Sequence, residues 1–175
     1  MTMHYITADI NSIREHNLSL VLNLVREAGT ISRVSIVQQT GLSATTVSAL
    51  ANVLLESGFV HEAGTGTSRG GRRPILLQFD YGYRHVLGVD IGATHLTAVA
   101  MDLGGAVIAH QKRNFDVIED PAGTIRLVHT LIENLISAIR LKIPSILGMG
   151  IAIPTPLDGE HLNQFSSVIL PSWKG

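Results

Sequence analysis

The chain has 175 residues, and its 13 basic and 14 acidic side chains give a net charge of −1. This length accommodates one ordinary domain or two small ones, and a hydrophobic content of 45% excludes wholesale disorder. The charge balance excludes a uniformly basic nucleic-acid binder, and the absence of cysteine excludes disulfides, thiol catalysis and cysteine-ligated zinc.

No targeting segment is visible in the sequence. Residues 1–11 lack a basic flank followed by an apolar stretch, so we expect no secretory signal. The longest late uncharged run, residues 143–157, is too short and too rich in proline to cross a bilayer as a helix. We therefore expect a cytoplasmic protein with no membrane partner.

Three short helices are predicted before residue 60. An apolar stripe at helical spacing predicts the first helix, which Gly29 ends. Ser32 is placed to cap a second helix that Gly41 ends, and Ser43 is placed to cap a third. The third helix has an apolar face at positions i, i+3, i+4 and i+7, formed by Val47, Leu50, Ala51 and Leu54.

The second and third helices, joined by a glycine turn, follow the helix-turn-helix arrangement. The predicted outer face of the third helix carries short polar side chains, namely Thr45, Thr46, Ser48 and Asn52. A recognition helix meets base edges with such residues, and Ser43 at its N-terminus is placed to approach a backbone phosphate. The alternative is a small three-helix domain whose outer face is simply polar.

A hairpin is predicted next, with strands at residues 59–61 and 75–79. Its glycine-rich tip, residues 64–74, carries Arg69, Arg72 and Arg73. Glycine at positions such as Gly70 lets the backbone lie close to nucleic acid, and the negative potential of a narrow minor groove attracts arginine. The pattern therefore predicts a wing that contacts DNA. The alternative is a solvated loop that binds nothing.

After a connector near residues 80–84, strands and glycines alternate. Strands are predicted at residues 86–91, 95–101 and 106–112, and the first two flank the run Asp90-Ile91-Gly92-Ala93-Thr94. Glycine permits close backbone approach, threonine donates a hydroxyl, and aspartate holds a metal through water. Asp90, Gly92 and Thr94 are therefore a candidate phosphate loop. The alternative is a hairpin with a glycine turn.

A helix follows, with Asp120 as its cap and Pro121 at its first position, and its wide apolar stripe predicts burial against a sheet. Residues 147–153 are apolar throughout, which predicts a strand in the interior of that sheet. The eight histidines form no i, i+4 pair, so we expect neither a metal site nor a cofactor.

Several motifs resemble the ROK family, which groups repressors, open reading frames and sugar kinases. They are Ile31-Ser32-Arg33, Thr40 to Ser48, Leu54 to Gly58, Ser68 to Pro74, Leu87 to Thr94 and Gly148 to Pro154. The resemblance implies an α/β fold. It places an N-terminal winged helix-turn-helix at residues 1–80 and the first part of an actin-like, ribonuclease H-like ATPase domain at residues 86–175.

This resemblance implies a transcriptional repressor of carbohydrate-utilisation genes. The winged helix would bind a double-stranded DNA operator, and the kinase-like domain of a full-length chain would bind a sugar effector and form a homodimer. Simple sugar kinases of the family lack the winged helix, so we do not expect an enzyme. The alternatives are a sugar kinase and an inactive remnant.

The chain departs from the kinase members of the family at two positions and in its length. They read Asp-x-Gly-Gly-Thr-Lys, whereas Ala93 replaces the second glycine here and His95, which carries little charge at pH 7, replaces the lysine. By the resemblance, the catalytic aspartate, the second nucleotide lobe and the zinc motif lie beyond Gly175. We therefore expect a fragment of a longer regulator, which as a monomer binds its operator weakly.

Overall fold

A computed structural model of the chain describes residues 10–67, 72–154 and 173. These residues form a mixed α/β structure, as the sequence predicts. The chain divides into two compact units, Met1–Asp80 and Tyr81–Gly175. No helix in the described ranges has both the length and the apolar composition needed to cross a membrane.

The first unit contains three helices: α1 (Ile10–Ala28), α2 (Arg33–Thr40) and α3 (Ala44–Glu56). Their apolar faces supply much of the unit's core, as the helical periodicity predicts. The buried side chains contributed by the three helices are Val21, Val25, Ile36, Val47, Leu50, Ala51 and Leu54.

Both predicted helix caps are confirmed. Ser32 Oγ accepts a hydrogen bond from Ser35 N, and Ser43 Oγ accepts one from Thr46 N, each over 3.1 Å. Gly41 ends α2 with a φ of 70°, a left-handed conformation that favours glycine. Only residues 41–43 separate α2 from α3, so the two helices are joined by a tight turn.

The three strands of the first unit form an antiparallel sheet: β1 (Thr30–Ser32), β2 (Val60–Thr65) and β3 (Ile75–Phe79). β3 is the middle strand. In its register, Leu77 lies opposite Ile31 of β1 and Glu62 of β2, and the Leu77 side chain is completely buried.

The observed sheet differs from the prediction in two respects. β1 was not predicted, because three residues are too few to show the alternation of a strand. The predicted first strand of the hairpin, residues 59–61, starts one residue early and ends four residues too soon. The register shifts between Glu62 and Thr65, and Gly64 has a φ of 93° there, so an irregularity hides the continuation of β2.

The second unit contains a four-stranded mixed sheet: β4 (His85–Ile91), β5 (His95–Asp102), β6 (Val107–Asn114) and β7 (Ile146–Ala152). The strand order is β6-β5-β4-β7. The first three strands in the chain are antiparallel neighbours, whereas β7 runs parallel to β4.

Helix α4 (Pro121–Ala138) covers one face of this sheet and packs over β5 and β6. Its predicted cap is confirmed, since Asp120 Oδ1 accepts a hydrogen bond from Gly123 N over 2.7 Å. Leu131 and Leu135 are buried against the apolar side chains of β4 and β5. Trp173 packs against the same core, and its indole Nε1 donates to Val117 O over 2.8 Å.

The prediction that residues 147–153 form an interior strand is wrong for the residues that the structure describes. β7 is an edge strand of the sheet, and Leu147, Met149 and Ile151 are 55%, 47% and 52% exposed. An apolar run indicates a preference for burial, but it does not reveal which elements cover the strand. Here α4 lies over β5 and β6 instead.

Truncating Leu131 tests whether α4 stabilises the second unit. We expect Leu131→Ala to lower the free energy of unfolding by about 2–5 kcal/mol, because a buried leucine leaves a cavity. The sole tryptophan, Trp173, reports unfolding of this unit through its fluorescence during denaturant titration.

The matched control is Ile125→Ala on the same helix, because Ile125 is 65% exposed. This change is expected to alter the free energy of unfolding by less than about 0.5 kcal/mol. Equal effects of the two substitutions would contradict the packing described for α4.

Candidate nucleic-acid interface

The N-terminus of α3 is organised by the Ser43 hydroxyl. Besides accepting from Thr46 N, Ser43 Oγ shares hydrogen bonds of 2.8 Å with the hydroxyls of Thr45 and Thr46. The three hydroxyl groups therefore form one exposed cluster at the start of the helix. Such a cluster both donates and accepts hydrogen bonds, so it suits phosphate oxygens and base edges alike.

The outer face of α3 is polar and uncharged. Thr45, Ser48 and Asn52 are exposed, opposite the buried apolar face of the helix. Thr46 was expected on the outer face as well, but it is only half-exposed, and its hydroxyl is hydrogen-bonded to Ser43 Oγ. Helix α3 contains no lysine or arginine, so its face offers hydroxyl, amide and methyl groups to a partner.

Arg33, the first residue of α2, contacts the α3 face from the side. Its Nη2 donates to Asn52 Oδ1 over 3.3 Å, and its Nη1 lies 4.0 Å from Glu62 Oε1 on β2. Arg33 is absent from the site residues proposed from the sequence. The sequence contained a signal for Arg33. A cation at a helix N-terminus is unfavourable to the helix dipole, so an arginine there indicates a role other than helix stabilisation.

The hairpin of β2 and β3 carries the basic residues. Gly66 N donates to Pro74 O over 2.8 Å, which extends the paired part of the hairpin toward its tip. Arg72 and Arg73 are both exposed, and no carboxylate pairs with either in the described part of the chain. Arg69 and Gly70, which were also proposed as DNA contacts, lie outside the described residues.

Positive charge is concentrated around these elements. Residues 30–79 contain four arginines, no lysine and two glutamates, although the chain as a whole has a charge of −1. One glutamate, Glu62, lies near Arg33. The first unit thus combines an uncharged polar helix face with a locally basic hairpin, which is the charge distribution of a DNA-binding surface.

The candidate phosphate loop lies in the second unit, at the turn between β4 and β5. Gly92 N donates to His95 O over 2.9 Å, and the Asp90 carboxylate lies 3.7 Å from His95 Nε2. Thr94 lies at the same turn, and it is exposed.

The His95 imidazole restricts access to this turn. A Cβ atom built on Gly92 would lie 2.7 Å from His95 Cε1, so the ring fills the space beside the glycine. A phosphate that approached the backbone there would need the ring to move. Within residues 10–67, 72–154 and 173, no three His, Asp or Glu side chains converge where they could hold a metal ion.

The chain is similar in sequence to proteins named as xylose and N-acetylglucosamine repressors. It is 33% identical over 148 residues to the xylose repressor of Caldicellulosiruptor bescii, which covers 85% of this chain and 37% of that protein. It is 26% identical over 155 residues to the N-acetylglucosamine repressor of Escherichia coli O6:H1, again covering 37% of the relative and 87% of this chain. The chain therefore spans little more than a third of the length of these relatives.

A solved structure shares the fold. The crystal structure of a ROK family transcriptional regulator, a homologue of the E. coli MLC protein, matches with a TM-score of 0.63 and 22% identity. The match covers 85% of this chain and 38% of the other. No family model matches the sequence.

The cap at the start of α3 makes a testable contribution to stability. We expect Ser43→Ala to destabilise α3 by about 1 kcal/mol, because the Thr46 N–H loses its acceptor. Amide hydrogen exchange in α3, measured residue by residue, reports this change.

Ser48→Ala is the matched control on the same helix. Ser48 is exposed and lies within the helix, where alanine is the better helix former, so protection in α3 should be maintained or should rise slightly. A loss of protection as large as that caused by Ser43→Ala would contradict the capping role.

Proposed function

We propose that the chain is a member of the ROK family and, from the geometry of its first unit, that it binds operator DNA as a sequence-specific repressor of carbohydrate-utilisation genes. In this proposal residues 1–80 are a winged helix-turn-helix domain. α2 and α3 are the helix-turn-helix pair, α3 is the recognition helix, and the hairpin of β2 and β3 is the wing.

One observation carries this proposal: the same small sheet joins a solvent-facing polar helix to an arginine-bearing hairpin. The α3 side chains Thr45, Ser48 and Asn52 are exposed on one face. Arg72 and Arg73 extend from the hairpin without carboxylate partners among the described residues. A helix of this kind fits the major groove, while arginines from a wing contact phosphates or the minor groove.

The two elements have different tasks in this proposal. Because α3 carries no basic residue, it contributes little to electrostatic attraction and mainly reads base edges. Ser43 and Thr46 support the start of that helix, and we propose that both contact the DNA backbone. The arginines, including Arg69, neutralise phosphates, and Gly70 lets the backbone of the wing lie close to the DNA.

The second unit is proposed to be the start of an actin-like domain. In a longer chain of this family, that domain would bind a sugar effector and pair two chains, so that two half-sites are read together. Both relatives are named for sugars, xylose and N-acetylglucosamine, which supports a sugar as the effector class.

Sugar kinase activity is the second candidate function, and the structure of the turn at Gly92 argues against it. His95 stands where the family's kinases have lysine, and its ring lies against Gly92 and near Asp90. We therefore propose that Asp90, Gly92 and Thr94 retain the shape of a hairpin turn and do not bind a transferable phosphate.

Removing the two described wing arginines tests the proposal. For the double variant Arg72→Ala with Arg73→Ala, we expect the slope of log K against log salt to fall in magnitude by about 2, because each phosphate contact contributes about 0.9. The slope is measured by fluorescence anisotropy with a duplex taken from upstream of the gene and with a random duplex.

The matched control removes two positive charges from the second unit. Lys112→Ala with Arg113→Ala alters exposed residues on β6, outside the proposed interface. This variant is expected to keep the salt slope of the original chain. An equal decrease in the magnitude of the salt slope in both double variants would contradict the assignment of DNA binding to the hairpin.

Changing the outer face of α3 should affect sequence preference instead. We expect Thr45→Ala with Ser48→Ala to cost about 1–3 kcal/mol of discrimination between the preferred and random duplexes, with an unchanged salt slope. Thr130→Ala with Ser137→Ala, which alters exposed residues on α4, is the matched control. Equal weakening on all duplexes would contradict base reading by α3.

A further inference from the structure

A cleft of about 270 Å³ lies between the first turn of α2 and the start of β3 in the first unit. Its lining combines three arginines with three apolar residues, namely Arg33, Arg72, Arg73, Val34, Pro74 and Ile75. Arg33 lies about 40 residues before Arg72 and Arg73 in the sequence, so only the fold brings the three arginines to one cleft.

The Arg33 side chain is held in a defined position. It is 26% exposed, it donates to Asn52 Oδ1, and it lies beside the Glu62 carboxylate. Arginine has five N–H donors and no acceptor, so these two contacts leave further donors available. Because arginine only donates, the contact also fixes the Asn52 amide with its oxygen toward Arg33 and its NH₂ group available elsewhere.

The charge of the cleft is unbalanced in the described structure. Glu62 is the carboxylate near Arg33, and neither Arg72 nor Arg73 has an ion-pair partner among the described residues. Three guanidinium groups around one small cleft repel each other unless an anion lies between them. Val34, Pro74 and Ile75 offer no side-chain hydrogen-bonding group that would select a base edge.

We infer that this cleft binds one phosphate group of the DNA backbone, with Arg33 as a phosphate contact in addition to the wing arginines. The planar guanidinium fork matches the oxygens of a phosphate, and three such forks surround the site. This inference rests on the proposed function. It places one phosphate between the wing and the face of α3. The contact between Arg33 and Asn52 links this phosphate to the α3 face.

The fixed Asn52 amide adds a consequence for base recognition. Bidentate recognition of adenine by asparagine requires both the amide oxygen and the NH₂ group. The contact with Arg33 orients the Asn52 amide, whose oxygen has a second lone pair, so the amide keeps both the acceptor and the donors that adenine requires.

The test replaces Arg33 with methionine, which keeps an apolar stem without the charge. We expect Arg33→Met to lower the salt slope by about 0.9 on specific and random duplexes alike. The loss of affinity between 50 mM and 200 mM salt should therefore become about 3.5-fold smaller. Arg14→Met, on α1 and outside the cleft, should leave the slope unchanged. An unchanged slope in Arg33→Met would overturn the inference.

Repeating the Arg33 substitution in an Asn52→Ala chain shows whether Arg33 contacts a phosphate itself or only positions Asn52. In an Asn52→Ala chain, Arg33→Met should lower the slope by the same amount, because the phosphate contact does not need the amide. If Arg33 acted only through Asn52, the substitution would have no further effect there, and the inference would be wrong. Arg33→Lys, which retains the charge, should keep the slope while weakening binding several-fold.

Inorganic phosphate distinguishes failure of this inference from failure of the proposed function. The arginine Nε–H signals of the intact chain are followed by NMR as phosphate is added. We expect saturable shifts for Arg33, Arg72 and Arg73, and none for Arg14. If no duplex binds but these shifts appear, the cleft is an anion site and the proposed function fails. If duplexes bind and these signals do not respond to phosphate, the cleft is not the phosphate site.

Discussion

The pairing of β3 with both β1 and β2 is the constraint on which the candidate interface depends. Leu77 lies at the centre of this pairing, opposite Ile31 and Glu62, and its side chain is completely buried. β1 leads directly into the capped start of α2, and β3 completes the hairpin. Displacing the hairpin from the helices would therefore break ladder hydrogen bonds and expose the core at the same time.

This framework lets two chemically different surfaces act together. α3 is divided along its length into a buried apolar face and an outer face of hydroxyl and amide groups. The arginines lie on neighbouring elements and not on α3 itself, so in the proposed complex separate residues attract the DNA backbone and read the bases. A chain with a net charge of −1 acquires a basic surface in this way without being basic overall.

Local features of the structure were predictable from the sequence, whereas pairings between distant segments were not. The caps at Ser32, Ser43 and Asp120 follow from neighbouring residues, and so does the buried face of α3, because helical spacing and capping act within a few positions. The polar face of α3 was found in this way, whereas Arg72 and Arg73 were found from the glycine-rich, basic tip of the predicted hairpin.

The features that sequence reasoning missed all depend on tertiary contacts. β1 exists because β3 offers it a partner, and the side chains of β7 are exposed because β7 lies at the edge of the sheet while α4 covers β5 and β6. Arg33 joins the candidate site only because the fold brings the start of α2 beside Asn52 and Glu62. The spacing of residues in the sequence carries no direct information about these contacts.

An NMR titration of the isotope-labelled chain with a duplex from upstream of the gene tests the central claim most directly. Binding by the first unit should concentrate the amide shift changes in α3, at the start of α2 and in the described parts of the hairpin. The amide signals of the sheet formed by β4 to β7 should not shift, because this sheet lies outside the proposed DNA contact. Shift changes centred on that sheet, or no changes at a DNA concentration well above that of the protein, would contradict the account.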